Sequence, residues 1–136
     1  MDIFLTDINK KSSFAGNSFT YFERLHFKKD FKKVFKSGLK FENNKIKIFV
    51  YDRNDGHTTR RLGVVTSKKL GTAVKRNKIK RRLREIFRSI KGSLKPGLDL
   101  IFIQKIEVLN YSSLKKSIVD LFDKYGFIAI KIISNK

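Results

Sequence analysis

The apolar positions of the chain recur with two different periods, and the switches between them predict its elements. Phe27, Phe31, Val34 and Phe35 fall at helical spacing around Lys28–Ser37, with Gly38 as the stop. Lys28, Lys29, Lys32, Lys33 and Lys36 occupy the other face. Residues 44–51 change to period two: Ile46, Ile48 and Val50 share one face of a predicted strand, and Lys45, Lys47, Phe49 and Tyr51 share the other. Turn formers run from Asp52 to Gly56. Residues 61–66 (RLGVVT) then predict a second strand, antiparallel to the first. The helical period returns over residues 72–91, where Ile79, Leu83, Ile86, Phe87 and Ile90 form one stripe. Thr72 is its candidate N-cap and Gly92 its candidate stop. Lys95-Pro96-Gly97 marks a turn. Residues 98–103 (LDLIFI) are apolar on both faces, as in a central strand. Residues 113–125 carry a third helical stripe of Leu114, Ile118, Leu121, Phe122 and Tyr125, with Ser112 as cap and Gly126 as stop.

Residues 127–133 fit either an edge strand or a helical continuation. Residues 1–23 show no steady period and read as a loosely ordered extension. One domain over residues 24–126 follows, with 127–136 as a C-terminal extension. The order helix–strand–strand–helix–strand–helix predicts an α+β fold, a two-layer sandwich with helices against a small sheet. Its strand–helix–strand crossover is right-handed by default.

Charge sharpens this picture. The 136 residues hold 32 Lys+Arg against 12 Asp+Glu, a formal net charge of +20. So small a globule repels itself at that charge unless an anion is its partner. Nucleic acid is the first candidate and an anionic membrane surface the second. The 13 Phe residues argue against a disordered basic tail. The absence of Cys excludes disulfide scaffolds and thiol chemistry. No apolar run is long enough for a membrane span, and the N-terminus is a poor secretory signal, so a soluble intracellular protein is expected.

The charge concentrates in residues 72–91, where nine of twenty residues are basic and only Glu85 is acidic. Asn77, Arg81, Arg84 and Arg88 lie opposite the apolar stripe, with Lys80 and Lys91 beside them. Arg81–Glu85 is the only oppositely charged i,i+4 pair expected there. The other charges repel unless an anion arrives. Just upstream, Ser67, Lys68 and Lys69 precede the helix N-terminus, where free amides and the dipole favour phosphate. A merely solvated basic face and a membrane-surface helix are the competing readings.

The strand face of Lys45, Lys47, Phe49 and Tyr51 combines cations for phosphates with rings for bases, as a single strand requires. Phe31 and Phe35 offer a second wall, although aromatics at helical spacing commonly serve a core. No catalytic constellation accompanies these groups. Asp52 with Asp55, and Asp120 with Asp123, lack His or Lys companions, Ser67 lacks a His, and Asp99 in an apolar strand reads as structural. No metal-ligand set is expected on the protein. The residues alone describe an RNA-binding domain without its own active site.

Residues 62–87 (LGVVTSKKLGTAVKRNKIKRRLREIF) make the motif specific: a strand ending in S-K-K, a G-x-A-V linker and a basic helix opening R-N-K-I-K-R. This resembles the bacterial ribonuclease P protein family, as does Arg24-Leu25 followed by Asp30-Phe31, Val34-Phe35 and Gly38. The family's R-N-R is here Arg76-Asn77-Lys78, so charge is kept at 78 but bidentate geometry is not. The resemblance covers about residues 24–122 and implies a ribonuclease P protein-like sandwich: a small mixed sheet, three helices and a left-handed βαβ crossover.

It also implies a role. The protein would be a subunit of an endoribonuclease whose RNA subunit performs Mg²⁺-dependent removal of the 5′ leader from precursor tRNA. Arg76, Asn77, Lys78, Lys80 and Arg81, with Arg84 and Arg88 further along the helix, would bind the catalytic RNA. Phe31, Phe35, Lys45, Lys47, Phe49, Tyr51, Ser67, Lys68 and Lys69 would line or border the leader cleft. Mg²⁺ would be held mainly by the RNA. Precursor tRNA is the expected substrate and the bacterial cytoplasm the expected location, with neither membrane nor DNA as partner. The alternative is a small basic ribosomal or RNA-chaperone protein with no link to tRNA processing. A self-sufficient nuclease finds no residues.

Overall fold

In a computed structural model the described residues are 19–128, and each hydrophobic period there forms the element it predicts. The helical stripes become α1 (Lys28–Ser37), α2 (Ala73–Ile90) and α3 (Tyr111–Lys124). The strands are β1 (Leu39–Glu42), β2 (Ile46–Asp52), β3 (Arg61–Val65) and β4 (Leu98–Gln104). Thr72 caps α2 as expected, its Oγ1 accepting from the Lys75 N–H at 3.3 Å. The cap of α3 is Asn110 in place of Ser112: its Oδ1 accepts from the Ser113 N–H at 2.9 Å, so the helix begins earlier. Gly126 ends α3 with φ +80°, where a side chain would be strained. Gly38 stops α1 for a different reason. Its φ is ordinary, but a Cβ would lie 2.6 Å from the Val34 carbonyl oxygen and 2.8 Å from that of Val50.

The periodicity contains no sign of β1, because only Phe41 of its four residues is buried. An edge strand with one apolar side chain carries no repeat. The sheet order is β1-β2-β4-β3; β1 and β4 are antiparallel to β2, and β3 is parallel to β4. Strands β2 and β3 therefore run in opposite directions, as expected, but are not partners. β4 lies between them. Its LDLIFI run needs cover on both faces, and only a central position supplies that. The fold is an α+β sandwich of three helices on a four-stranded mixed sheet.

The two sheet faces are covered unequally. On one, Ile46, Ile48, Val50, Leu100 and Phe102 pack against Leu83, Ile86 and Phe87 of α2 and Leu114, Ile118 and Phe122 of α3. Each of these side chains is buried, a contribution of about 1.5–3 kcal/mol apiece. Among the described residues the other face is covered by the ten-residue α1 and, at the β3 edge, by Leu25. Its cluster is small: Leu25, Val34 and Ile101 are buried, while Phe31, Phe49, Tyr51, Val65 and Ile103 are covered in part.

Asp99 has the structural role expected of it. It is 2% exposed and accepts from Arg53 at 2.8 Å and from both Nε and Nη2 of Arg61, at 2.8 and 2.7 Å. That pairing holds the Arg61 guanidinium above its ordinary pKa.

Residues 19–23 of the expected loose extension belong to the folded body. Tyr21–Glu23 form a 3-10 turn, and Phe19 packs edge-on against Phe87 with centroids 5.6 Å apart. The rest of that extension and residues 129–136 lie outside the described residues. Of the undecided segment 127–133, Ile128 makes an isolated antiparallel bridge to Leu94. Among the described residues no helix is long and apolar enough to cross a membrane.

Candidate nucleic-acid interface

The thinly covered sheet face is built in cross-strand rows. Lys47, Ile103 and Val65 form one row, Phe49, Ile101 and Gly63 the next, and Tyr51, Asp99 and Arg61 the third. Helix α1 lies along the middle row. The Phe31 ring rests on Gly63, where a Cβ would come within 2.5 Å of it. Phe35 meets Phe49 edge-on, with ring centroids 4.9 Å apart. Lys33 Nζ stands 5.9 Å from the Tyr51 ring centroid. Phe31, Phe49 and Tyr51 are half-buried and Phe35 is exposed, so ring surface remains open along the edge of α1. Five expected residues thus converge: Phe31 and Phe35 from α1 with Lys47, Phe49 and Tyr51 from β2.

Lys45 sits just before β2 and is half-buried. Ser67, Lys68 and Lys69 follow β3. The Ser67 hydroxyl accepts from the Lys69 N–H at 3.2 Å, so its job is to turn the chain and hold the two exposed lysines. Lys45, Lys47, Lys68 and Lys69 make no ion pair among the described residues. The neighbouring Lys105 does, donating to Glu42 at 2.8 Å and holding that carboxyl below its usual range. The apolar floor of Ile103 and Val65, and Lys33 on the wall, were not legible as site residues. Their neighbourhood exists only once β4 separates β2 from β3.

Helix α2 divides its charge between two flanks. Arg76, Lys80 and Arg84 succeed one another at i,i+4. Arg84 faces a groove of about 270 Å³ that also holds Arg24, His26, Phe31 and Gly63. Partial burial, and then repulsion from Arg24, push the Arg84 guanidinium below its ordinary pKa. Among the described residues no carboxylate answers it, so an arriving phosphate would offset both effects. Lys78 is not brought to this flank. With Arg82 it lines a groove on the other side, beside Gln104 and Leu109.

Asn77 and Arg81 are exposed between the flanks, and Arg81 makes no ion pair among the described residues. The expected Arg81–Glu85 pair does not form. Glu85 accepts instead from Arg88, one turn on, which leaves Arg81 available and Arg88 partly neutralised. Arg76 Nε donates to the Gly71 carbonyl at 3.2 Å, which fixes the start of the helix against the lysine turn. Among the described residues no group of three or more His, Asp or Glu side chains is placed to hold a metal ion.

The family model described as Ribonuclease P matches residues 19–126. Curated relatives named ribonuclease P protein component, from Streptococcus pneumoniae strains Hungary19A-6 and D39, are 40% identical over 98 residues, covering 71% of this chain and 78% of theirs. The solved Staphylococcus aureus RNase P protein matches with a TM-score of 0.68 at 28% identity, covering 78% of this chain and 97% of that one. The Thermotoga maritima RNase P protein matches with a TM-score of 0.67 at 31% identity, covering 75% and 96%.

Proposed function

The chain belongs to the ribonuclease P protein family, and on that premise we propose that it is the protein subunit that helps a catalytic RNA remove the 5′ leader of precursor tRNA in the bacterial cytoplasm. The single observation that carries this reading is the half-open sheet face. There Phe31, Phe35, Phe49 and Tyr51 lie among Lys33 and Lys47, next to a cationic helix flank that has no carboxylate among the described residues. Rings take unpaired bases and lysines take the phosphates between them, which suits a single-stranded leader. Arg76, Asn77, Lys80, Arg81 and Arg84 would hold the structured catalytic RNA by its backbone, with Lys78 reaching it from the opposite flank and Arg88 once released from Glu85.

In this proposal the hydrolysis belongs to the RNA, and Mg²⁺ is bound there. Among the described residues no group of three or more His, Asp or Glu side chains is placed to hold a metal ion. The protein contributes electrostatics: its cations reduce phosphate repulsion where two RNAs meet, so less Mg²⁺ is required. The test is reconstitution with a bacterial ribonuclease P RNA and precursor tRNA at low Mg²⁺. The protein should raise 5′ maturation, and the complex should bind precursor more tightly than mature tRNA. No gain in maturation would end the proposal, and equal affinity for the two tRNAs would favour a general RNA-binding module.

A further inference from the structure

Residues 19–27 cross the β3 edge of the sheet as a strap fixed at both ends. At one end Phe19 packs on Phe87, and Glu23 Oε2 accepts from Lys91 Nζ at 2.5 Å. At the other the Leu25 N–H donates to the Leu62 carbonyl at 2.9 Å, and the Leu25 side chain is buried. What the strap turns outward is a chain of four rings. Tyr21 and His26 are stacked, with centroids 4.2 Å apart and planes at 30°. Phe22 meets Tyr21 edge-on at 5.7 Å, and Phe27 meets His26 edge-on at 6.4 Å. Tyr21, Phe22 and Phe27 are 48%, 52% and 59% exposed.

Contiguous exposed aromatic surface of this kind marks a binding face. Its charge says what it binds. The one acid on the strap, Glu23, is engaged by Lys91, while Arg24 within the strap and Lys28 and Lys29 just after it are exposed. Aromatic faces interleaved with cations complement unpaired bases and their phosphates. The groove that holds His26 also holds Phe31, so the ring chain is continuous with the cleft.

We propose that Tyr21 and His26, flanked by Phe22 and Phe27, form a second stacking platform that takes the unpaired RNA bases adjoining those held at Phe31 and Phe49. This rests on the cleft reading given above.

The test titrates the full chain with a fluorescently labelled oligoadenylate of about 12 nucleotides, long enough to occupy both surfaces. Tyr21→Leu with His26→Leu should weaken binding about tenfold, the loss of one to two stacked bases. Tyr21→Phe with His26→Tyr should restore it. Phe31→Leu with Phe49→Leu is the control for the cleft. If the cleft variant loses affinity and the strap variant does not, the platform is overturned and the cleft stands. If neither loses affinity, the cleft reading falls and takes the platform with it. Loss of binding to phosphatidylserine vesicles by the strap variant, with oligoadenylate affinity intact, would make the rings a membrane surface and overturn the proposal. The wild-type chain supplies a reading that needs no substitution: photo-crosslinks from 4-thiouridine RNA must reach Tyr21 or His26. Crosslinks confined to the cleft refute the platform.

Discussion

The Phe31 ring lies so close to Gly63 that a Cβ on residue 63 would stand 2.5 Å from two of its ring carbons. The clash is with the far end of a side chain, so the ring can move and the fold can survive. Gly63→Ala should therefore cost about 1–2 kcal/mol in urea denaturation. The larger effect should be on single-stranded RNA, because the displaced ring no longer rests on the middle row of the cleft. Unchanged oligonucleotide affinity in this variant would mean that Phe31 does not shape the cleft.

Neighbouring positions on α1 separate stability from binding. Val34 is fully buried, whereas Phe35 is 42% exposed and touches Phe49. Val34→Ala should lower stability by about 2 kcal/mol and leave the RNA affinity of the folded protein nearly unchanged. Phe35→Ala should do the reverse, with little change in melting temperature and a reduced preference for long leaders. Both are measured by thermal unfolding beside leader-length series in the reconstituted holoenzyme.

Arg81 carries no ion pair among the described residues, and Arg76 is tied only to a carbonyl. Arg76→Ala with Arg81→Ala should weaken binding of the catalytic RNA and flatten its salt dependence. If both contact phosphates, the log–log slope drops by about 1–2. A slope equal to that of the wild type would show that neither arginine neutralises a phosphate. Glu85→Gln should act oppositely, freeing Arg88 and steepening the slope.

Removing Asp99 leaves Arg53 and Arg61 facing each other across the sheet end without their shared carboxylate. Asp99→Ala should cost about 3–5 kcal/mol, as expected when one partner of a buried ionic network is deleted. Chemical denaturation reads this directly. A loss under about 1 kcal/mol would show that the network is not structural.

Much of this was legible in the order of residues because it is local. Lys28–Ser37 is a helix with its predicted bounds, and Thr72 caps the helix it was assigned to. The alternation from Ile46 to Tyr51 correctly separates a buried face from an open one. Other features had no local signal. β1 buries one side chain, and Arg84 is perturbed first by burial in the packed fold and then by Arg24, sixty residues away in sequence. Glu85 could reach either Arg81 or Arg88 along one helix, and only the packed side chains select Arg88.

By itself, then, the sequence determined which segments are helices and strands, which face of each is apolar, and that so positive a surface needs an anionic partner. Those properties follow from period, capping and summed charge, which depend on near neighbours. Only the tertiary structure decided that β4 separates β2 from β3, that α1 covers its sheet face only in part among the described residues, and that Tyr21 and His26 lie beside that face. Each of these is a choice among partners distant along the chain. It is settled by which arrangement buries the doubly apolar β4 and still pairs Asp99 with Arg53 and Arg61.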